Sequence, residues 1–407
     1  KHGRYIYNMT SAADNIRGDD IKDFLSSNSL HNVDDFELAA QKKLSKPLYE
    51  YLASGSDAEE TLHENRIAFS RYALRPFALR SVSGLSTALS LFGRNLSIPV
   101  FASPAGVHRL VNDKGECATA RACGAVGTMF GLSQHATCSI EEVARVAPGT
   151  CRWFQCYILK ERSVTASLVR RAVKAGYSGI FLTVDSVKFG RREADARNGF
   201  NALPPPLTLS NYEDYAKELS LTTDQQSSKA WERKKHAAWD QNTETIFDQD
   251  ASWDDITWLR TVIDAATKDY NVQGRIPLVI KGIMTAEDAI KAVDFGADGI
   301  MVSNHGGRQL DSCLASIDAL PEVVAAVRSK RPGFPVLLDS GIRRGTDVVK
   351  ALALGATAVG VGKPLFYSLA TGGELGVSAM FHIFKEEIET AMALCGCRTI
   401  ADVSGKM

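Results

Sequence analysis

The chain has 407 residues, enough for two average domains or one large barrel with insertions. Basic and acidic residues balance at 47 each, so no global field draws the chain to nucleic acid or to an anionic membrane. No apolar stretch is long enough to span a bilayer, and the composition predicts a soluble chain able to bury a sizeable core.

The eight cysteines show no metal spacing: no CxxC pair occurs, and Cys395-Gly396-Cys397 is too tight for a zinc knuckle. Cys123, Cys138 and Cys156 lie in apolar or strand-like surroundings and read as reduced, structural thiols, so no metal is expected. Localisation is open. The chain begins at Lys1 rather than at a methionine, as after removal of a leader, tag or upstream domain. Asn8-Met9-Thr10 and Asn95-Leu96-Ser97 fit a glycosylation triplet, and Gly405-Lys406-Met407 loosely echoes a peroxisomal one.

Residues 1–31 are polar and weakly patterned and read as an arm or linker, leaving 32–407 as the folded unit. From Val33 a helical rhythm begins through Phe36, Ala40 and Leu44, with Asp34 and Asp35 suited to a first turn. Residues 48–55 predict a short helix ending at a glycine, in which Tyr51 reads as core or as a hydroxyl turned into a site. Residues 79–97 alternate loosely, as in a hairpin.

A regular pattern then takes over. Apolar runs fall at 98–102, 128–132, 152–158, 179–184, 277–280, 299–303, 335–338 and 358–361. Helical stretches at 115–123, 139–147, 163–175, 286–295, 316–329 and 346–354 lie between them. Strands that are apolar throughout imply a parallel sheet covered on both faces. Eight of them favour a closed (β/α)8 TIM barrel over an open doubly wound sheet. After the fourth strand comes a long polar insert, 201–251, which reads as a mobile lid that Trp231 and Trp239 could anchor.

In such a barrel chemistry sits at the carboxyl ends of the strands. Those ends here carry Ser103-Pro104-Ala105-Gly106, Ser133-Gln134-His135, Gln155-Cys156-Tyr157, Thr183-Val184-Asp185, Lys281-Gly282, Ser303-Asn304-His305, Asp339-Ser340-Gly341 and Gly362-Lys363. The sixth end is the richest: Ser303-Asn304-His305-Gly306-Gly307-Arg308-Gln309-Leu310-Asp311 holds a histidine able to accept a proton and an arginine able to clamp a carboxylate. A polar loop with a capped histidine is the bland reading. The last two mouths, Gly341 to Arg343 and Gly362-Lys363, suit a phosphate, or are an ordinary helix start and a tight turn. Lys281 can form a Schiff base, pair with a phosphate, stabilise an anionic ring or close an ion pair; Asp185 can orient His305 or cap a helix.

The run 303–311, with Leu182-Thr183-Val184-Asp185, Gly190-Arg191-Arg192-Glu193-Ala194-Asp195 and Ile280-Lys281-Gly282, resembles the FMN-dependent α-hydroxy-acid oxidases and dehydrogenases, over about residues 33–404. The resemblance implies FMN, a small (S)-2-hydroxy acid of the glycolate or lactate kind, oxygen or another electron acceptor, and a homotetramer in a peroxisomal or other compartment. It implies that His305 is the base, Asp185 its support and Lys281 the cation beside the flavin. Arg308, Arg192 and Tyr51 would bind the carboxylate, Tyr157 the substrate hydroxyl and His135 the side-chain end. Pro104, Ala105, Gly106, Ser133, Gln155, Thr183, Ser303 and Asp339 would line the cofactor, with Gly341, Arg343, Gly362 and Lys363 at its phosphate. The substrate's α-hydrogen would leave as hydride or as a proton.

Some positions depart from the family. Lysine stands at 363 where arginine is frequent, so a point charge replaces a fork. His135, Phe189 and Gly106 replace a large aromatic, a leucine and an alanine of glycolate oxidases, which leaves the acid's side chain open. The rival readings are a dehydrogenase feeding a cytochrome or quinone, an FMN-barrel isomerase of diphosphates, and a non-catalytic phosphate binder.

Overall fold

The computed structural model describes residues 16–200, 202–213 and 246–406. Four helices lead into the barrel: α1 (Gly18–Ser27), α2 (Val33–Lys43), α3 (Lys46–Ala53) and α4 (Glu60–Ile67). Helix α1 lies inside the stretch read as an arm. Its Ile21, Phe24 and Leu25 repeat at helical spacing and pack against the long C-terminal helix Lys363–Leu394, a weak apolar stripe in a polar segment. Helix α2 is capped by Asn32, whose side chain accepts from the Asp35 amide.

An antiparallel hairpin follows, β1 (Leu89–Leu91) and β2 (Arg94–Leu96), within the stretch whose alternation suggested one. Eight parallel strands then close on themselves: β3 (Val100–Ala105), β4 (Met129–Ser133), β5 (Cys151–Cys156), β6 (Gly179–Thr183), β7 (Leu278–Ile283), β8 (Gly299–Val302), β9 (Val336–Leu338) and β10 (Ala358–Val361), with β10 beside β3. The closure decides for the barrel against the open sheet. β4, β6, β8, β9 and β10 are buried along their whole lengths, which is why the sequence shows apolar runs instead of alternation.

The amino end of the barrel is solid. Phe101, Met129, Trp153, Phe181, Met301 and Leu337 fill it, and Leu91 and Leu96 of the hairpin cover it from below. Phe92 rests its ring 5.0 Å from that of Trp153. Besides α1, α4 and the short helix Glu193–Asn198, two long helices escaped the sequence reading. Asp254–Asp269 begins where the polar insert ends, and Lys363–Leu394 is apolar on too many sides to show a period. The latter loses helical geometry at Gly372 and Gly373.

Between β6 and β7 the chain packs both stems of the insert onto the barrel through Leu203, Leu209, Tyr212, Ile246 and Phe247, all buried. Trp231 and Trp239 lie outside the described residues, as does the segment expected to act as a lid. The eight cysteines are free thiols. Side chains of Cys117, Cys138 and Glu142 come within 4.8 Å of one another, a grouping that spacing along the chain does not reveal, but Arg109 already pairs with Glu142 at 2.8 Å. Among the described residues no helix is long and apolar enough to cross a membrane.

Gly179 lets the Trp153 indole lie across β6, since a β-carbon there would fall 2.4 Å from the ring. Gly179→Ala should therefore overpack the barrel floor and cost about 1–3 kcal/mol. Gly149→Ala, with nothing within 4 Å of the new carbon, should be near neutral. Thermal melts of the two variants side by side check this; equal melting temperatures would contradict the packing described.

Candidate active site

The turn after β8 sets the site. His305, Gly306 and Gly307 have φ of 60°, 68° and 72°, three successive residues in the left-handed region. Glycine meets that demand at two of them, and at Gly307 a β-carbon would also strike the Leu62 backbone at 2.7 Å. The histidine carries the strain itself, as side chains at functional turns often do. Helix α4 holds the turn from outside. Asn65 and Asn304 exchange amide hydrogen bonds of 2.9 and 2.7 Å, and Asp311 accepts from the Thr61 amide at 2.8 Å at the start of α4.

So positioned, His305 points its Nδ1 at Asp185 Oδ1, 2.9 Å away, with Ser186 Oγ at 3.5 Å. Asp185 supports the histidine; it does not cap a helix. Burial pushes its carboxyl up, but the His305 ring and the Lys281 ammonium outweigh burial and bring it down to about 2. Lys281, buried in the carboxyl half of β7, donates to Ser303 Oγ at 2.8 Å and stands 3.6 Å from Asp339 Oδ2. Asp339 also accepts from Ser103 Oγ at 3.1 Å.

Arg308 reaches back across the mouth. Its guanidinium donates to the carbonyls of Tyr51 and Ser54 at 2.8 and 3.1 Å and lies 5.2 Å from the Tyr51 ring centroid. Arg192 approaches the same ring at 5.3 Å and pairs with Asp195 at 3.0 Å. Tyr51 is thus both core and site, buried with two guanidiniums beside its ring and the Phe200 ring 4.7 Å away.

These side chains share one hollow. It is lined by Tyr51, His135, Tyr157, Arg192, His305 and Arg308 at one end, and by Asp339, Gly341, Arg343, Gly362 and Lys363 at the other. Pro104, Ala105, Gly106, Ser133 and Lys281 form the wall between. Gln155, Thr183 and Ser303 are buried strand-end residues outside the lining, with Gln155 paired in register with Ser133 and Thr183 with Lys281.

Two features suit a flat phosphorylated cofactor. Gln155, whose Oε1 accepts from Ser133 Oγ of the wall at 3.2 Å, buries an Nε2 donor without a hydrogen-bond partner, a spare donor next to the hollow. At the other end Lys363 donates to the carbonyls of Ala53 and Ser54 at 2.6 and 3.1 Å. Burial, with Arg308 and Arg343 close by, pushes its ammonium well below the usual value. Arg343 Nε is likewise buried, with Asp34 too distant at 3.9 Å for a hydrogen bond. Buried cations crowded together call for an anion, and a phosphate seated on glycine amides supplies one.

The sequence reading missed Leu62 and Asn65 of α4, Ser103, Ser340 and Phe366, all in the lining. It also missed Tyr212 and Phe247, which lie 6.0 Å from the His135 ring. Ser103 and Ser340 stood in mouths already singled out, and only their roles were unassigned. Phe366 follows the last mouth by three residues, and the others sit far from any mouth in sequence.

The family model for FMN-dependent dehydrogenases matches residues 40–407. The chain belongs to that family. It is an FMN-dependent oxidoreductase, and FMN is its cofactor. Glycolate oxidase 3 of Arabidopsis thaliana is 45% identical over 375 residues, spanning 92% of this chain and 94% of the relative. Glycolate oxidase of Spinacia oleracea is 44% identical over 380 residues with the same coverage. Among solved structures, a mandelate oxidase with (S)-2-phenylpropionate superposes with a TM-score of 0.77 at 37% identity, covering 92% of this chain and 96% of the other. A lactate oxidase of Pediococcus acidilactici gives 0.80 at 34% identity, covering 92% and 93%.

The Asp185–His305 pair has a pH signature. A carboxyl held at about 2 in the fold but near 3.8 when unfolded stabilises the protein above the unfolded value. That stability is lost as pH falls through the folded value, so the window lies between roughly pH 4 and 2. Across it the wild type should lose about 2 kcal/mol more than Asp185→Asn. Denaturation midpoints of both proteins from pH 6 to pH 2 test this, and parallel curves would refute the pairing.

Proposed function

We propose that the barrel mouth oxidises (S)-2-hydroxy acids, glycolate- or lactate-like, to 2-oxo acids, with His305 as the base. The observation that carries this reading is the shared hollow: His305 and Arg308, three residues apart, line it together with Arg192, Tyr51, Lys281 and the phosphate-type cations. FMN, which Asp339, Gly341, Arg343, Gly362 and Lys363 would hold, would supply the two-electron acceptor, with oxygen as the terminal oxidant and hydrogen peroxide as its product.

The side chains supply the rest. Arg308 and Arg192 hold the substrate carboxylate, with the Tyr51 hydroxyl as a further donor, and so fix the reacting carbon in place. Tyr157, whose phenol burial drives strongly upward, stays protonated and donates to the 2-hydroxyl. His305 Nδ1 is taken by Asp185, which leaves Nε2 to receive the hydroxyl proton. The imidazolium that forms is stabilised by a carboxylate already in contact. Lys281 places a buried positive charge beside the acceptor, and Ser303 fixes its direction. Phe189, Phe247 and Tyr157 pack edge to face and keep water from the substrate's side-chain end.

A carboxylate-binding pair argues against the diphosphate isomerase reading, and a supported base argues against a mere binder. A homotetramer and a peroxisomal or other intracellular setting extend this reading on family likeness alone.

His305→Gln should keep the yellow colour of bound FMN and lose reduction by glycolate or lactate by about a hundredfold or more. Unchanged anaerobic bleaching would overturn the base assignment. Lys281→Met should slow bleaching while still binding FMN, so a colourless protein would instead make the lysine structural. Readmitting air to the reduced wild type separates the acceptors: rapid return of colour supports the oxidase, and slow return favours a cytochrome or quinone.

A further inference from the structure

One ring in the hollow has no assigned partner. His135 is 6% exposed, lines the hollow, and buries an Nε2 that meets no hydrogen-bond partner. The ring lies in an aromatic surround, 5.2 Å from Tyr157, 6.0 Å from Tyr212 and 6.0 Å from Phe247. None of these rings hydrogen-bonds its Nε2. Its backbone is clamped: the amide donates to Ser133 Oγ at 3.1 Å, and Gly106 presses against its carbonyl. A β-carbon at position 106 would fall 2.7 Å from that oxygen. The missing methyl therefore lets the His135 segment sit hard against the end of β3, and the ring is held at the wall.

We propose that His135 selects 2-hydroxy acids whose side chain carries a second hydroxyl, by hydrogen bonding to that group. This rests on the oxidation of 2-hydroxy acids argued above and narrows its substrate class. A buried imidazole nitrogen without a partner is costly, and a ligand group that satisfies it is favoured over an isostere that leaves it bare. The surroundings choose among polar groups. Burial, reinforced by the nearby His305, lowers His135 to about 4, so the ring is neutral near pH 7 and offers one donor and one acceptor. A hydroxyl, able to donate or to accept, satisfies Nε2 in either tautomer. An ammonium side chain meets Arg192, Arg308 and Lys281 in the same hollow and is repelled.

The test compares hydroxyl and methyl isosteres on the FMN-loaded full chain. The pairs are (S)-2,3-dihydroxypropanoate against (S)-2-hydroxybutanoate, and (S)-2,4-dihydroxybutanoate against (S)-2-hydroxypentanoate. Each is followed by kcat/KM and by calorimetric dissociation constants of the matching 2-oxo acids. In at least one pair the wild type should favour the hydroxyl member by about tenfold or more in both measurements. His135→Phe should bring that ratio to about one, and His135→Gln, which keeps a donor and an acceptor, should retain part of it. A wild-type ratio near one in both pairs, or a ratio that His135→Phe leaves unchanged, overturns the proposal. Should no acid be turned over, the fault lies with the oxidation reading, and the calorimetric ratio still decides the role of His135.

Discussion

The hollow at the barrel mouth gathers more positive charge than its walls can neutralise, and much of the surrounding structure manages that excess. Arg192 leans on Asp195, Lys281 on Ser303 and Asp339, while Arg308 and Lys363 are tied to main-chain oxygens of residues 51, 53 and 54. Those oxygens lie at the carboxyl end of α3, where unsatisfied carbonyls and the helix dipole make the backbone a receptor for cations. One short helix thus anchors both the arginine proposed to grip the substrate and the lysine proposed to grip the cofactor's phosphate. Selectivity for an acid and retention of a phosphorylated cofactor share one electrostatic origin.

Geometry at the centre is bought with backbone strain. The three left-handed residues after β8 are stable only because α4 braces them through Asn65, Leu62 and the capped Thr61. The N-terminal helices are accordingly part of the site's frame, although most of the chemistry lies on strand ends.

The barrel was legible because its strands are apolar throughout and recur with helices between them, a pattern few folds produce. The polar mouths were legible for a related reason: each follows an apolar run. Roles came from likeness at 303–311 more than from spacing, since a histidine and an arginine three apart are compatible with a plain loop. What stayed hidden is mostly long-range. Nothing local announces that Asn65 meets Asn304, 239 positions away, or that Phe247 returns to cover His135. The C-terminal helix Lys363–Leu394 was missed because it is buried on most sides up to Phe384, and a polar face emerges only in its last turns at Glu386 and Thr390.

The hairpin under the barrel has a consequence for traffic. With Leu91, Leu96, Trp153 and Phe181 sealing the floor, nothing can drain through the axis of the cylinder. Reactant, keto product and dissolved gas must therefore all pass the upper rim, through the one mouth that the strand-end loops surround.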